Sequence, residues 1–432
     1  MEVLKFSENY ENPLVIARKL GASIAGELGE KTFEELELAF VNSLLPKFAN
    51  NPLIRMKQHV LLYWSQSYQK STLINEFSKC LPETIKQLSI TSNSPETLFG
   101  SINDKNEIIY PLFTNIDIAQ ITELSTFIAG RNREDIVNTM NRVLENETVE
   151  RQLLKFGRRE ISEEEFSKAC KKGVLYDSEL GQLVHKPKVS VFAASRPLNN
   201  RTYTYLKQSG FLYRFHIIQK ELTNKDVENY LKTNYIPNVS LCEPLATLND
   251  KMKSVKIRKI ETPKGQPSID LISNLIETVK EHTKGTKLQI KNILDVRTKG
   301  DLFRELAAYA TIRTLFENDF KNTDQIQYTE EDMEFILDGI DHFVEAKLNP
   351  LFTEDFSKAV DKTKTIDRVK RNILEFLLYD LDKSRNEIDV FVHVKMKVCK
   401  ATISNALKEL LNNGKIISPK FGFYRKAPLR EG

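Results

Sequence analysis

Cysteine and glycine are scarce in this sequence. Its 432 residues include four cysteines, which lie far apart and form no Cys-x-x-Cys pair: Cys80, Cys170, Cys242 and Cys399. This spacing argues against a disulfide scaffold or a cysteine-rich zinc site and favours reduced, buried thiols. The chain has 16 glycines, and their share of the residues is roughly half of the ~7% that is usual in proteins. We therefore expect a helix-rich chain with few tight glycine turns.

Long apolar runs are also missing. The longest, such as Val60–Trp64, reach about five residues, whereas a membrane-spanning helix needs ~18 or more. The residues Met1–Phe6 lack a signal-peptide pattern. Hydrophobic residues make up 41% and charged residues 28% of the chain, which is typical of soluble globular proteins. We expect an intracellular protein of two to four domains, cytoplasmic and nucleoid-associated or nuclear, with no membrane partner.

The net charge of +4 hides an uneven distribution. Residues 361–432 hold 16 basic and 9 acidic residues, a net charge of +7. The remaining residues hold 47 basic and 50 acidic residues, a net charge of −3. A basic terminal module on a near-neutral body suggests that the module binds a polyanion, with a solubilising tail as the alternative.

Periodicity within the basic module predicts a compact fold. Apolar residues recur at helical spacing in Thr365–Asp380 and Lys400–Asn413, while Glu387–Val394 fits a helix or a strand. Gly414 is a natural helix end, and Lys415–Lys426 has the pattern of a short hairpin. Three helices followed by a basic hairpin is the order of a winged helix, in which the third helix enters the major groove.

That order predicts the residues that contact DNA. Polar and basic residues on the third helix and the hairpin would reach base edges and phosphates. They are Lys400, Thr402, Ser404, Asn405, Lys408, Lys415, Lys420, Arg425 and Lys426. A winged helix that binds protein is the alternative.

The body of the chain has the pattern of a nucleotide-binding α/β module. A short apolar strand, His59–Trp64, leads through a loop to Lys70, Ser71 and Thr72, and then to a helix at Leu73–Cys80. Strand, loop, Lys-Ser-Thr and helix is the context of a phosphate-binding loop. A second apolar run, Glu107–Thr114, and a third, Lys188–Ser195, would supply further strands.

These segments resemble the minichromosome maintenance (MCM) helicases of the AAA+ superfamily. Trp64–Ser71 (WSQSYQKS) aligns without a gap with the Walker A sequence Gly-Asp-Pro-x-x-Ala-Lys-Ser. Leu112–Asp117 would be the Walker B strand, and Phe192–Pro197 (FAASRP) resembles the Ala-Ala-Asn-Pro sensor 1 motif. Tyr213–Phe215 resembles the Ser-Arg-Phe that carries the arginine finger, and Thr298–Leu306 resembles part of the helical lid.

The resemblance implies an architecture of an AAA+-type α/β core, a helical lid and a C-terminal winged helix. The domains would be an N-terminal helical segment (1–50), the α/β core (51–235, with a charged insertion at 157–188), a linker (236–266), the lid (267–360) and the winged helix (361–432). It also implies DNA as a partner and assembly into a ring or hexamer or with other replication proteins.

The resemblance further implies ATP or ADP and Mg²⁺ as cofactors. Lys70, Ser71, Thr72, Arg196 and Arg297 would bind the nucleotide. Two residues would act in catalysis, Arg214 as the arginine finger and Asp117 as the acid nearest to the Walker B position.

Several departures from the MCM pattern point to a degenerate ATPase site. Trp64 and Gln69 replace the two loop glycines, and the Walker B Asp-Glu pair aligns with Asn115–Ile116. The sensor 1 asparagine aligns with Arg196. We therefore expect a DNA-binding replication protein of MCM-like or initiator-like type without effective ATP hydrolysis. The alternatives are an active helicase or helicase-loading ATPase that uses Lys70, Ser71 and Asp117, and a regulatory scaffold whose winged helix binds protein.

Two further patterns complete the sequence expectations. The charged segment Gly157–Lys188 would be either an enlarged DNA-contacting hairpin or a solvated surface insertion. The six histidines are scattered along the chain: His59, His185, His216, His282, His342 and His393. Their spacing predicts no metal site.

Overall fold

The computed structural model describes most of the chain. The described residues are 11–45, 57–64, 69–90, 94–128, 133–153, 161–198, 200–219, 228, 232–233, 235–261, 265–284, 294, 296–348, 369–370, 372–374, 376–377, 381–396, 400–420 and 422–427. The chain divides into two compact units, residues 1–350 and 351–432. The predicted boundary at residue 361 lies outside the described residues.

The amino-terminal helix α1 (Pro13–Leu44) folds back on itself. Its backbone leaves the helical conformation at Ala25 and Gly26, where φ of Gly26 is +58°. The two arms meet at Gly21 and Gly29, where a Cβ on Gly21 would lie 2.0 Å from the Gly29 carbonyl oxygen. α1 is therefore a helical hairpin whose close packing depends on glycine at both positions.

A parallel sheet of five strands lies at the centre of the first unit. The strands are β1 (Val60–Tyr63), β2 (Gln87–Ser89), β5 (Ile118–Ile121), β9 (Ser190–Ser195) and β10 (His216–Gln219). Their spatial order is β10-β1-β9-β5-β2, and every neighbouring pair is parallel. β1, β5 and β9 are buried along their whole length, because helices cover both faces of the sheet.

Two large clusters of buried apolar residues in this unit pack against the central sheet, one on each of its faces. Val60 and Leu62 of β1 belong to one buried cluster, and Leu61 and Tyr63 belong to the other. Alternate side chains of a strand point to opposite faces, so β1 anchors both clusters. The helices that connect the strands are α2 (Lys70–Lys79), α3 (Pro95–Phe99), α4 (Leu124–Phe127), α5 (Arg133–Leu144) and α7 (Asn200–Gln208).

The strand predicted at Leu112–Asp117 is displaced in the structure. Within the earlier apolar run, only β4 (Ile108–Ile109) is extended, and it pairs with β3 (Ser101–Ile102) in a small hairpin. Pro111 cannot donate to a sheet ladder, and Asn115 has a φ of +58° in the turn that follows. The central strand β5 therefore begins after Asp117, and the predicted Walker B strand was wrong in register.

The charged insertion predicted at 157–188 is largely a folded subdomain. β6 (Val149–Gln152), β7 (Val174–Asp177) and β8 (Gln182–His185) form an antiparallel sheet in the order β6-β8-β7. The Ser162 hydroxyl accepts a hydrogen bond from the backbone N–H of Glu165 and so caps α6 (Glu163–Lys171). The acidic run thus forms a helix first turn, where its charge suits the helix dipole.

The linker predicted at 236–266 is wrong, because part of it belongs to the core. α8 (Cys242–Ser254) buries Leu245, Leu248 and Met252, and β11 (Ile257–Ile260) follows it. Pro244 lies in the first turn of α8, where proline is tolerated. Pro244 therefore marks the start of a helix inside the segment predicted as a linker.

The region predicted as a helical lid is mostly helical. It contains α9 (Gln266–Thr283), α10 (Val296–Glu317), α11 (Glu330–Asp338) and a helical stretch over residues 340–348. A capping box begins α11, since Thr329 and Asp332 exchange hydrogen bonds. One strand, β12 (Thr323–Ile326), pairs in parallel with β11. α10 packs against α1.

The second unit has its own core and sheet. Helical residues lie between 369 and 376, followed by β13 (Lys383–Ser384), α12 (Arg385–Met396), α13 (Lys400–Asn412), β14 (Ile416–Ile417) and β15 (Phe423–Lys426). The strands are antiparallel in the order β13-β15-β14. The ambiguous segment Glu387–Val394 is helical, and Gly414 has the positive φ (+62°) expected just beyond a helix end.

Candidate functional site at the carboxyl edge of the parallel sheet

Lys70 and Ser71 begin α2, which follows the carboxyl end of β1 and starts three residues earlier than the predicted helix at Leu73–Cys80. Lys70 is buried, and its Nζ donates a hydrogen bond to the carbonyl oxygen of Trp64 at 2.8 Å. Ser71 Oγ donates to the carbonyl oxygen of Thr122 at 3.3 Å, which joins the start of α2 to the end of β5. Thr72 lies in the same first turn, partly buried. This turn contains no acidic residue.

The acid beside Lys70 is Glu123 and not Asp117. Glu123 follows the end of β5 by two residues, and its carboxylate partly offsets the lowering of the Lys70 pKa that burial causes. Asp117 lies before β5, where its Oδ2 accepts a hydrogen bond from the Lys86 N–H at 3.0 Å. A four-residue strand spans about 13 Å, so Asp117 lies at the opposite edge from Lys70. The predicted role of Asp117 at this site is therefore corrected.

Arg196 completes the cluster from the end of β9. Its Nε donates to Ser125 Oγ at 3.2 Å, and the Ser125 hydroxyl in turn donates to a Glu123 carboxylate oxygen. The sheet register explains this convergence, because Ile121 pairs with Ala193 and so places Glu123 level with the end of β9. Glu123 and Ser125 were missed in the sequence because the strand before them was placed too early.

The loop that precedes α2 retains one unusual backbone conformation. Gln69 lies in the left-handed region (φ +54°, ψ +16°) at a position where the resembled motif has glycine, and its side chain does not cap the helix. Trp64, at the other glycine position, is buried and packs in the core, with Lys70 Nζ 5.5 Å from its ring centroid. Residues 65–68 of the predicted phosphate loop lie outside the described residues.

This arrangement brings together groups that can bind an anion. A helix first turn with no side-chain cap from Gln69 offers backbone N–H groups and the positive end of the helix dipole. Lys70 adds a cationic head and Arg196 adds a second one across the cluster. Glu123 supplies a carboxylate that can accept a proton from a bound water.

Arg214 is predicted as the arginine finger and Arg297 as a nucleotide-binding residue. Both arginines contact the same carboxylate, that of Glu145, which lies away from Lys70. Arg214 Nη2 lies 2.8 Å from Glu145 Oε1, and Arg297 also pairs with that oxygen. Arg214 precedes β10, so it belongs to the amino edge of the sheet. Burial lowers the pKa of Arg214, with Glu145 opposing that effect. The structure therefore unites these two residues with each other and separates them from Lys70.

The predicted DNA-contacting residues lie on one helix and one hairpin of the second unit. Ser404, Asn405 and Lys408 are exposed on α13, and Thr402 is partly exposed. In the hairpin, Lys415 and Lys420 are exposed, while Arg425 and Lys426 on β15 are half-buried. Lys400 begins α13, and its side chain lies outside the described part of the chain.

Two further contacts shape this surface. Arg385, at the start of α12, donates from Nη2 to Ser404 Oγ at 2.7 Å, which adds a cation that the sequence patterns did not single out. Arg425 Nε lies 3.9 Å from Asp382, a weak ion pair. The surface around α13 and the hairpin therefore carries basic groups and exposed hydrogen-bonding side chains.

The expectation that the histidines form no cluster is also wrong. His216 at the start of β10 and His342 in the helical stretch 340–348 have ring centroids 6.1 Å apart, although 126 positions separate them in sequence. Glu35 of α1 lies beside both rings. No spacing pattern signals this group, because its members come from three distant segments.

No family model matches the chain, and no curated protein matches it. Among the helices in the described part of the chain, none combines the length and apolar character that crossing a bilayer requires.

Proposed function

We propose that this protein is an AAA+-type nucleotide-binding protein of MCM-like or initiator-like character that acts on DNA in replication. The observation that carries the proposal is the cluster of Lys70, Ser71, Glu123 and Arg196 at the carboxyl edge of the sheet. These residues come from the ends of three adjacent strands, β1, β5 and β9.

The sheet topology supports a ligand at this edge. From β1 the chain passes to β2 at the far edge, returns through β5 and β9, and then places β10 on the other side of β1. β1 therefore lies where the strand order reverses. Ligands of open parallel sheets bind outside the carboxyl ends of the strands at such a switch point.

The residues present fit a nucleoside triphosphate with Mg²⁺. Lys70 and the first-turn N–H groups of α2 would hold the phosphates, and the hydroxyl of Ser71 would contact the metal ion. When bound, Mg²⁺ neutralises charge on the phosphate oxygens. Thr122 stands where the resembled Walker B motif has its metal-binding aspartate, so the ion would have one carboxylate fewer. We infer nucleotide binding with slow hydrolysis.

Glu123 makes the proposed ATPase site less degenerate than its sequence motifs suggest. In the comparison with the Walker B motif, no carboxylate stands at the position of the general base, whereas the described structure has the Glu123 carboxylate next to Lys70. Glu123 would orient or deprotonate the attacking water, and Arg196 would occupy the sensor position. The missing metal ligand is then the main reason to expect slow turnover.

Nucleotide binding can be measured with the protein's own fluorescence. Trp64 is the only tryptophan in the chain, and the Lys70 amino group lies over its ring. Addition of ATP with Mg²⁺ should change the emission of Trp64 because Lys70 leaves the Trp64 carbonyl for the phosphates. Lys70→Ala should abolish the change, and Lys79→Ala, in the exposed last turn of the same helix, should preserve it. An identical titration of all three proteins would contradict the proposal.

Hydrolysis is tested separately with Glu123→Gln. This variant should keep the fluorescence response and lose the slow release of phosphate, since the amide cannot accept the proton of water. Unchanged phosphate release would remove Glu123 from the reaction and return the site to a binding function only.

The second unit supports the DNA-binding part of the proposal. Its order of helices and strands, with the exposed face of α13 beside a basic hairpin, agrees with a winged helix. We expect Lys408→Ala combined with Lys415→Ala to weaken duplex DNA binding and to reduce the salt dependence by about one unit of slope for each lost phosphate contact. Lys280→Ala, an exposed lysine of α9, serves as the control. If the double variant and the Lys280→Ala control bind DNA equally well, the DNA contact lies elsewhere.

Ring assembly is the remaining part of the proposal. Arg214 and Arg297 lie together, as would be needed if both acted on the nucleotide of a neighbouring copy. Glu145 holds them within the single chain, so assembly would have to draw at least one of them away. Light scattering of the full chain with and without ATP tests this, and a monomer under both conditions would contradict it.

A further inference from the structure

Three metal-ligating side chains converge in the first unit, apart from the nucleotide site. Glu35 comes from the second arm of α1, His216 from the start of β10, and His342 from the helical stretch 340–348. Each offers one ligand atom, and these three atoms lie within 4.8 Å of one another. The group therefore joins the helical hairpin, the central sheet and the end of the first unit.

The distances suit a tetrahedral metal ion. Ligand atoms bound to Zn²⁺ at 2.0–2.1 Å lie about 3.3 Å from one another. His216 Nε2 is 3.3 Å from Glu35 Oε1, and His342 Nε2 is 3.8 Å from the same oxygen. The two histidine ligand atoms lie within 4.8 Å of each other, so closing the group around a zinc ion needs movements of about 1.5 Å or less.

The polar atoms of this group are buried and poorly satisfied by hydrogen bonds. His216 is 2% exposed and Glu35 is 7% exposed. The ring nitrogens of His216 and Nε2 of His342 make ion-pair contacts of 3.3 to 3.8 Å with Glu35 and Glu305 but no well-formed hydrogen bond, and Oε2 of Glu35 has no hydrogen-bond partner in the described structure. Buried polar groups almost always have partners, and a bound ion is one explanation for those that do not.

Glu305 of α10 occupies the position of an outer carboxylate. Its Oε1 lies 3.3 Å from Nδ1 of His216, the ring nitrogen that faces away from Glu35. Metal-binding histidines commonly present their second nitrogen to a carboxylate, which sets the tautomer and the ring orientation. The nearby cations Arg304 and Lys347 both pair with Asp301.

A cavity of about 730 Å³ gives access to the group. Glu35, Glu305 and His342 are among its lining residues, and five further acidic residues also line it, compared with two basic residues, Arg18 and Lys31. Such a negative, walled cavity concentrates cations. Because the protein supplies three ligands, the fourth position of a tetrahedral ion would face this cavity.

We propose that Glu35, His216 and His342 bind one Zn²⁺ ion, with Glu305 as the residue that orients His216. Imidazole nitrogens together with a carboxylate favour zinc over magnesium or calcium. Three protein ligands with an open fourth position is the pattern of zinc sites that bind a water molecule. This site is independent of the nucleotide site, since it shares none of its residues.

The test measures zinc binding by the full, tag-free chain after removal of metals. Titration against a chromophoric chelator with Zn²⁺ alone should give one tight site per chain, and Zn²⁺ should raise the unfolding temperature. Co²⁺ in place of Zn²⁺ should give the visible absorption of a tetrahedral site. Binding of less than a stoichiometric amount, with no change in unfolding temperature, would overturn the proposal and leave the cluster as a buried ion-pair network.

Variants separate the roles of the residues. His342→Gln, at the partly exposed ligand, should weaken zinc binding by more than about 100-fold, and Glu305→Gln by about 10-fold. His282→Gln is the matched control, because His282 also pairs with a carboxylate, Asp341 at 3.2 Å, but lies outside this group. Unfolding temperatures without metal show that each variant is folded. Equal loss in the His282 variant, or no loss in the His342 variant, would contradict the assignment.

Discussion

At the scale of single residues, Gln69 and Trp64 occupy the two positions that align with glycine in the resembled motif, and Gln69 keeps a backbone conformation that glycine favours. Gln69 adopts the left-handed conformation that glycine would take without strain. For a residue with a Cβ this conformation costs roughly 1–2 kcal/mol. Trp64 fills the space at the other position and packs in the core. The loop thus accepts local strain at the start of α2.

Replacing Gln69 by glycine should therefore stabilise the protein. We expect Gln69→Gly to raise the free energy of unfolding by about 1 kcal/mol or less, because the relief of strain is partly offset by the greater freedom of glycine in the unfolded chain. Urea denaturation measures the effect. Gln69→Ala is the control, since it keeps the Cβ; a gain as large in this variant would show that the side chain beyond Cβ is responsible.

A second residue-scale feature is the buried carboxyl group of Glu37 in α1. Burial raises the pKa of Glu37 to about 8, and its one described hydrogen bond comes from Asn249 Nδ2 at 3.3 Å. The folded protein therefore keeps a proton on Glu37 that the unfolded chain loses above its ordinary pKa of about 4.5. The contribution of this group to stability is complete below pH 4.5 and is lost as the pH rises to about 8.

Glu37→Gln should remove this pH dependence. We expect the variant to be more stable than the natural protein at pH 8 by on the order of 4 kcal/mol, and to differ little near pH 4.5. Urea denaturation across this range gives the difference. Glu27→Gln, an exposed position on the same helical hairpin, should leave the pH profile unchanged. A Glu37→Gln difference that is constant with pH would show that Glu37 is ionised in the folded state.

At the scale of elements, the hairpin of α1 places Glu35 and Glu37 in the interior of the first unit. The hairpin can form because the chain reverses at Gly26 and because Gly21 and Gly29 allow its arms to touch. Arg18 and Glu34 form an ion pair across the arms, which agrees with this reversal. A continuous helix of the same length could not bring Arg18 next to Glu34.

Gly21→Ala should disrupt this element. The new methyl group would overlap the carbonyl of Gly29, so the arms must separate, and we expect a loss of about 1–3 kcal/mol in unfolding free energy. Gly339→Ala is the matched control, because a methyl group at that position would lie 3.6 Å from the nearest atom and the φ of Gly339, −90°, is ordinary. A loss in Gly339→Ala equal to that in Gly21→Ala would contradict the steric explanation.

At the scale of the whole molecule, the division of charge follows the division into compact units. The basic residues that give 361–432 a net charge of +7 belong to the second unit, whose core includes Val369, Ile388, Ile403 and Leu407. Because each unit has its own buried apolar cluster, we expect them to unfold as separate cooperative transitions.

Leu407→Ala tests this independence. Removal of a buried leucine should cost the second unit about 2–5 kcal/mol, so only one of two calorimetric transitions should move to lower temperature. The neighbouring exposed variant Lys408→Ala should move neither by a comparable amount. A single transition that shifts as a whole in Leu407→Ala would show that the two units unfold together.

Local patterns were sufficient for much of the fold. Buried parallel strands appear as continuous apolar runs, and helices appear as repeated apolar spacing, so β1, β9, α2 and α13 could be predicted. The register of β5 could not, because Glu107–Thr114 and Ile118–Ile121 are both apolar and only pairing with β9 distinguishes them. The same error displaced the expected acid from Glu123 to Asp117.

The uneven charge, the helix that follows β1 and the order of elements in the basic module can be predicted from the amino-acid sequence, because each depends on neighbours along the chain. The acid beside Lys70, the sharing of Glu145 by Arg214 and Arg297, and the meeting of Glu35, His216 and His342 depend on the three-dimensional fold. These contacts join residues far apart in sequence, and they follow from strand order and helix packing, which local periodicity does not encode.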